Sequence, residues 1–348
     1  MIQRLLRGRL LYLLLGALVV FVYTRVSPLR PPSQAAAAPH PVHETLEWWP
    51  AQLDAAAIRE AIAREPLLGM ALSVLTLFMV VMGCGGLALS VWGLWTGRVR
   101  GLLRFTSDPP PPWSFGELAR IVAMTVMVAA LLPVLTIPFR GEPAGGGGDH
   151  RLWMTVSMLV LDVFVVLLIL AFAVGKGPSA WRMVGLSGHR LWSPIVTGFR
   201  GYLAVFPWLF ILLALIVEVA RSLGLKPPVE PIQELIFQEH RPAVLGLVML
   251  LACVIGPAAE EGFFRGVLYA ALRRRLPRPA AMVASGVAFS LVHTNPVGFV
   301  PIAVLGCLLA YLYERTGSLA SPLAVHIAHN TVLMSLALVM RRVLLAAG

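Results

Sequence analysis

The chain has 348 residues, of which 58% are hydrophobic and only 13% charged, and its mean hydropathy is +0.81. A soluble domain is nearer about 45–50% apolar and 25% charged, so the composition excludes a soluble globular protein and predicts an all-α, polytopic transmembrane bundle. The net charge of +11 does not imply a nucleic-acid partner, because the basic residues sit in short loops between apolar runs, as cytoplasmic loops do under the positive-inside rule.

Met1–Arg9 is basic and Leu10–Val26 almost wholly apolar. This predicts a first span with a cytoplasmic N-terminus, either an uncleaved signal anchor, which the length favours, or a signal peptide processed near Ala35–Ala38. Ser27–Glu65 is polar and expected outside the cytoplasm, with a surface helix around Leu53–Arg64. Leu67–Trp95 predicts a second span, with Gly83, Gly85 and Gly86 allowing close helix contact. Arg98, Arg100 and Arg104 mark a cytoplasmic loop continued by Pro109–Pro112. Ile121–Pro138 returns, and Gly145–Gly148 with Asp149 reads as an external loop, without the strand–helix context of a phosphate cradle.

Trp153–Val174 is the fourth expected span and carries Asp162; an interfacial segment begins at Trp181. Thr197–Ala220 is the fifth, with Glu218 at its outer end, followed by an external Pro-rich loop over Lys226–Pro242. Ala243 to about Leu272 would be ~45 Å long as one helix, more than a ~30 Å hydrocarbon core needs, and Gly256-Pro257 predicts a kink or break in it. Pro279–Thr294, Phe299–Tyr313 and Leu319–Met340 complete eight or nine spans. Alternation leaves Arg341 and Arg342 outside, against the charge rule. The three cysteines, Cys84, Cys253 and Cys307, all lie in apolar runs without a CxxC pair and read as small core residues.

Function concentrates where charge enters the apolar segments. Glu260, Glu261 and Arg265 follow directly on the run Ala243–Gly256, although one charged side chain at membrane depth costs roughly 2.5–3.5 kcal/mol on insertion scales. Glu261 and Arg265 are four apart and can pair on one helix face. Glu260 has phenylalanine at both i+3 and i+4, needs another partner, and suits a general base. Phe289 and His293 share a face, as do His326 and Asn330, whereas His329 is rotated away from His326. At about 1.5 Å per residue, Glu260 lies ~20 Å from Arg273, His293 ~21 Å from Pro279 and Asn330 ~18 Å from Ser318, so three segments bring polar groups to one depth.

These groups fit peptide-bond hydrolysis without a covalent intermediate. Glu260 and His293 would activate a water, and His326 with Asn330 would donate to the oxyanion. The same residues admit a zinc reading, with Glu260, His293 and His326 as ligands. The absence of HExxH favours the metal-free form, with no cofactor.

The three motifs Glu260-Glu261-x-x-x-Arg265, Phe289-x-x-x-His293 and His326-x-x-x-Asn330, in that order and in apolar segments, resemble the CPBP family of intramembrane proteases. That family includes the type II CAAX prenyl endopeptidases and the prokaryotic abortive-infection proteins. The resemblance implies Glu260 as catalytic glutamate with His293 as its partner, Glu261 and Arg265 (with Phe289) as support, and His326 with Asn330 as oxyanion hole. It implies a membrane-anchored peptide or protein as substrate in a lipid bilayer. The expected organisation is an N-terminal anchor and external segment (1–65), accessory helices (66–240) and a catalytic core (241–340). Two other classes compete: a non-catalytic scaffold or bacteriocin-immunity protein on the same fold, and a transporter relaying protons through Asp162, Glu218 and Glu260. For Asp162 the bland expectation is a single buried acid bonded to a neighbouring hydroxyl.

Overall fold

The computed structural model describes residues 9–26, 55–97, 105, 112–135, 148–174, 191–224, 231–293 and 295–347. The processing region at Ala35–Ala38, the arginines of the 98–104 loop, most of the proline run and of the Gly145–Gly148 loop, the Trp181 segment and Thr294 lie outside them.

All described regular structure is helical. We number the helices α1 (Arg9–Val26), α2 (Ala55–Arg64), α3 (Pro66–Trp95), α4 (Phe115–Leu135), α5 (Gly148–Val174), α6 (Trp192–Ser222) and α7 (Pro231–Gln238). They continue with the long composite α8 (Pro242–Arg273), then α9 (Arg278–Leu291), α10 (Phe299–Thr316) and α11 (Ala320–Ala347). Seven of these are long and apolar enough to cross a bilayer, so the chain is a multi-pass integral membrane protein. The expected eight or nine included two helices that turn out shorter: α1, with its apolar stretch Leu11–Phe21, and α9. With 14 residues, α9 is ~21 Å long, too short for a ~30 Å core.

α8 and α10 bury 44% and 50% of their apolar windows, against 6% for α3, which puts α8 and α10 at the centre and α3 at the lipid-facing rim. Along α3, Leu67, Val74, Leu77, Val81 and Trp92 are exposed, an apolar surface suited to acyl chains rather than water. Of Gly83, Gly85 and Gly86 only Gly86 makes the expected close contact, against Leu203 and Pro207 of α6; Gly83 and Gly85 face open space. α9 and α10 pack as a tight antiparallel pair, crossing at Gly286 and Gly306. A Cβ on Gly286 would stand 2.6 Å from Cys307 Sγ and 2.7 Å from the Ala303 carbonyl oxygen. Only glycine allows that approach.

Where a kink or break was expected, α8 shows a change of helix type and no interruption. The chain stays helical through Pro257 and absorbs the proline as a π-turn over Leu251–Ile255, followed by an α segment Gly256–Glu261 and a second π segment Gly262–Tyr269. Pro257 has no N–H to donate, and the Gly256 N–H reaches back five residues to the Leu251 carbonyl. Between them they leave the Ala252 carbonyl without a main-chain donor. Pi-bulges of this kind recur at functional sites.

Polar nodes fasten both ends of α8. At its C-terminal end, Glu314 of α10 accepts from Tyr269 (2.8 Å), Arg273 (3.3 Å) and Arg278 (2.5 Å). At its N-terminal end, Glu239 is 1% exposed and bonds Arg241 at 2.9 Å, with Arg151 of α5 at 3.5 Å. The expected external loop here instead contains α7, whose Leu235 and Ile236 are fully buried beside Val248, Met334 and Leu338. The charge anomaly of α11 resolves at the same end: Arg341 donates to the Glu239 carbonyl at 2.6 Å and Arg342 pairs with Glu65 at 2.8 Å. The expected surface helix is α2, and its Arg64 donates to the Ala346 carbonyl at 3.1 Å.

Candidate active site

The expected pair is present and fully buried: Arg265 Nη1 donates to Glu261 Oε1 at 2.7 Å, with the side chains 0% and 1% exposed. Two buried ions survive in an apolar medium only when their remaining hydrogen-bonding capacity is also met. Arg265 Nη2 donates to the Gly306 carbonyl at 3.0 Å, which the close α9–α10 crossing brings within reach. The guanidinium also lies 4.6 Å from the centroid of the Phe289 ring, a desolvated cation–π contact.

Phe289, spaced in the sequence as a supporting residue, is the hub of the cluster. Its ring meets Phe264 edge-on at 5.1 Å, His293 at 4.7 Å and His326 edge-on at 5.6 Å. His293 lies just past the end of α9, in a turn rather than inside a span, and its N–H bonds the Ser290 carbonyl. Its Nδ1 lies 2.8 Å from the Phe289 carbonyl oxygen. A carbonyl only accepts, so Nδ1 carries the proton, and Nε2 of the neutral ring is left with a lone pair. The contact also satisfies one of the carbonyls that a helix C-terminus leaves open.

His326 of α11 is 2% exposed and stands between the two glutamates, with Nδ1 2.9 Å from Glu261 Oε1 and Nε2 3.6 Å from Glu260 Oε2. Glu261 therefore receives both Arg265 and His326 on one oxygen. Glu260 keeps 33% of its side chain exposed, so the two neighbouring carboxylates have opposite environments. Nδ1–H donation to Glu261 leaves Nε2 as the working atom of His326, and Nε2 can donate to an oxyanion only when the ring holds its second proton.

Asn330 spends one Nδ2 hydrogen on the Ala252 carbonyl, at 2.8 Å. That is the acceptor stranded by Pro257 and the π-turn, so the proline anchors Asn330 from another helix and leaves its second amide hydrogen to donate. His329 turns away from His326 as expected, with its Nδ1 2.8 Å from Tyr202 Oη of α6.

Asp162, expected against a hydroxyl, instead faces α8: its Oδ2 lies 3.5 Å from where a Cβ on Gly256 would stand. Glu218 does not join them; it is exposed and 3.7 Å from Arg221, so the proton relay through Asp162, Glu218 and Glu260 is not assembled. Among the described residues no three His, Cys, Asp or Glu side chains converge at metal-ligand spacing. Glu260, His293 and His326 thus do not form the zinc set as they stand.

Residues 242–332 match the family model described as Type II CAAX prenyl endopeptidase Rce1-like, a span that contains all the motif residues. A curated protein of Bacillus subtilis (strain 168), named "Putative membrane peptidase YdiL", is 29% identical over 85 residues. The alignment takes in 24% of this chain and 35% of that relative, so the chain spans about a third of the length of the curated protein it matches. No solved structure matches. With the three motifs gathered in α8, α11 and the C-terminal end of α9, residues 242–332 are similar to the Rce1-like type II CAAX prenyl endopeptidases and, through them, to the CPBP family of membrane proteases.

Proposed function

We propose that the protein is an intramembrane glutamic-type endopeptidase. It hydrolyses a peptide bond near the C-terminus, or in the membrane segment, of a membrane-associated protein or peptide. The observation that carries this reading is the His326 ring between a buried, ion-paired Glu261 at 2.9 Å and a partly exposed Glu260 at 3.6 Å. One carboxylate is committed to structure and the other is left for chemistry. The name of the Bacillus relative, a membrane peptidase, and the similarity to type II CAAX prenyl endopeptidases support the same class.

In the mechanism, Glu260 holds a water against the scissile carbonyl, with His293 as its partner in the activation. The water oxygen bonds the carbonyl carbon while its proton passes to Glu260. The resulting oxyanion accepts from the second Nδ2 hydrogen of Asn330 and from Nε2–H of protonated His326. Glu260 then returns the proton to the amide nitrogen as the C–N bond breaks. Residues 241–340 form the catalytic core, 66–240 the accessory helices and 1–65 the anchor and external segment, with a cytoplasmic N-terminus in the cell membrane.

One observation favours the scaffold or immunity reading: Asn330, His326 and Arg265 all bond other groups of the bundle. Reconstituting the full chain into liposomes with an internally quenched, farnesylated CAAX peptide and with an unprenylated, membrane-anchored reporter separates the two. A peptidase cuts at least one probe at a single bond, mapped by mass spectrometry, and His293→Ala stops the cut. Cleavage of neither probe by well-folded protein supports the scaffold.

A further inference from the structure

Asp162 is an acid in the middle of a spanning helix, and no motif accounts for it. α5 packs along the Gly256–Glu261 segment and both π segments of α8. At the contact Gly256 has no side chain, and the Asp162 carboxylate stands against it: a Cβ there would lie 3.5 Å from Oδ2, in van der Waals contact.

Gly256 and Glu260 are four apart on the α segment Gly256–Glu261, so the Glu260 side chain leaves the face that Asp162 approaches. Helical side chains also lean toward the N-terminus, here toward Gly256. Four residues rise about 6 Å along a helix, and one water with a hydrogen bond of ~2.8 Å on either side spans about 5.6 Å. Asp162 Oδ2 and the Glu260 side chain thus approach the same face of α8. Both are acceptors, and a water has the two hydrogens that such a pair requires.

We propose that Asp162 is a positioning residue for the hydrolytic water, holding it jointly with Glu260 across the α5–α8 contact. This rests on the peptidase reading above. One O–H points to Glu260 and the other to Asp162, which turns the oxygen lone pair toward the substrate carbonyl. On attack the first proton moves to Glu260 as the C–O bond forms. The second stays on the hydroxyl of the tetrahedral intermediate, still bonded to Asp162, and Glu260 passes its proton to the leaving nitrogen. Asp162 itself neither gains nor loses a proton.

Two experiments on the full chain test this, and the first needs no substrate. Thermal unfolding of Asp162→Asn, Glu260→Gln and the double variant forms a cycle. Midpoint shifts that fail to add place both carboxyls in one site, and additive shifts overturn the proposal. The second measures kcat and KM in proteoliposomes with whichever farnesylated or unprenylated probe the wild type cuts. Asp162→Ala lowers kcat by about 10²-fold, the size of a misplaced reactant, with KM unchanged, and Asp162→Glu recovers part of the loss. Unchanged kcat, or a loss confined to KM, overturns it. If the wild type cuts neither probe, the peptidase reading fails, while the unfolding cycle still decides whether Asp162 and Glu260 share a site.

Discussion

Replacing Arg265 by methionine removes the cation but keeps most of the apolar volume, which isolates the electrostatics of the buried pair. Glu261 is 1% exposed and would keep only the His326 ring as a hydrogen-bond partner, and its Oε2 has no hydrogen-bond partner even in the intact site. Breaking a buried pair by removing one member costs about 3–5 kcal/mol, because the other charge stays desolvated. The contact of the guanidinium with Phe289 at 4.6 Å lies within that figure rather than on top of it. Removing both charges, as Glu261→Leu with Arg265→Met, avoids the stranded carboxylate and leaves chiefly the unpaired Nδ1–H of His326, a penalty of about 1–3 kcal/mol. Equilibrium unfolding in detergent micelles should therefore rank wild type above the double variant and the double variant above Arg265→Met. A single variant within about 1 kcal/mol of wild type, below the range for a broken buried pair, or a double variant no more stable than the single, would refute the assignment of the pair.

Pro257→Ala restores an N–H that competes with Asn330 for the Ala252 carbonyl; stability should hold or rise while kcat falls, and unchanged kcat would break the proposed link between proline and Asn330. Gly286→Ala drives a Cβ to 2.6 Å from Cys307 Sγ and should cost about 1–3 kcal/mol as overpacking, read as a lower unfolding midpoint. Glu239 is held down to about 2 from the ordinary 4.5, chiefly by the Arg241 side-chain hydrogen bond, against the opposing effect of its burial. A carboxylate lowered in the folded state stabilises the fold above its unfolded value and loses that contribution as pH falls through the folded one. Stability should therefore drop between about pH 4.5 and about pH 2, and Glu239→Gln should flatten that window in a pH series of unfolding midpoints. The Arg342–Glu65 pair is exposed at 60% and 34%, so Arg342→Ala should shift stability by less than about 1 kcal/mol.

Local spacing made part of the site legible. Glu261 with Arg265, Phe289 with His293, and the divergence of His329 from His326 follow from helical geometry within one segment, and all three hold. Hydropathy likewise gave the long spans, and α2 stands where its amphipathic pattern put it. Contacts between segments were not legible. Nothing in the periodicity of α8 says that Pro257 is absorbed as a π-turn and that its stranded carbonyl finds Asn330, 78 residues away. Asp162 looked like an isolated acid because its contact with Gly256 lies between two helices far apart in the chain. α7 was read as a loop because flanking prolines masked its eight residues, and the Glu239 and Glu314 nodes join residues whose pairing no local rule predicts. The length of α9 was overread because His293, which extends the apolar run, belongs to the turn after the helix.

Glu260 as the base is the central claim, and its most direct test is Glu260→Gln in proteoliposomes with a probe that the wild type cleaves. Glutamine preserves shape while removing the proton acceptor, so hydrolysis should fall by about 10²–10⁴-fold, the usual worth of a positioned base, in a variant that still folds and unfolds cooperatively. Hydrolysis within a few-fold of wild type by the folded variant would contradict the account.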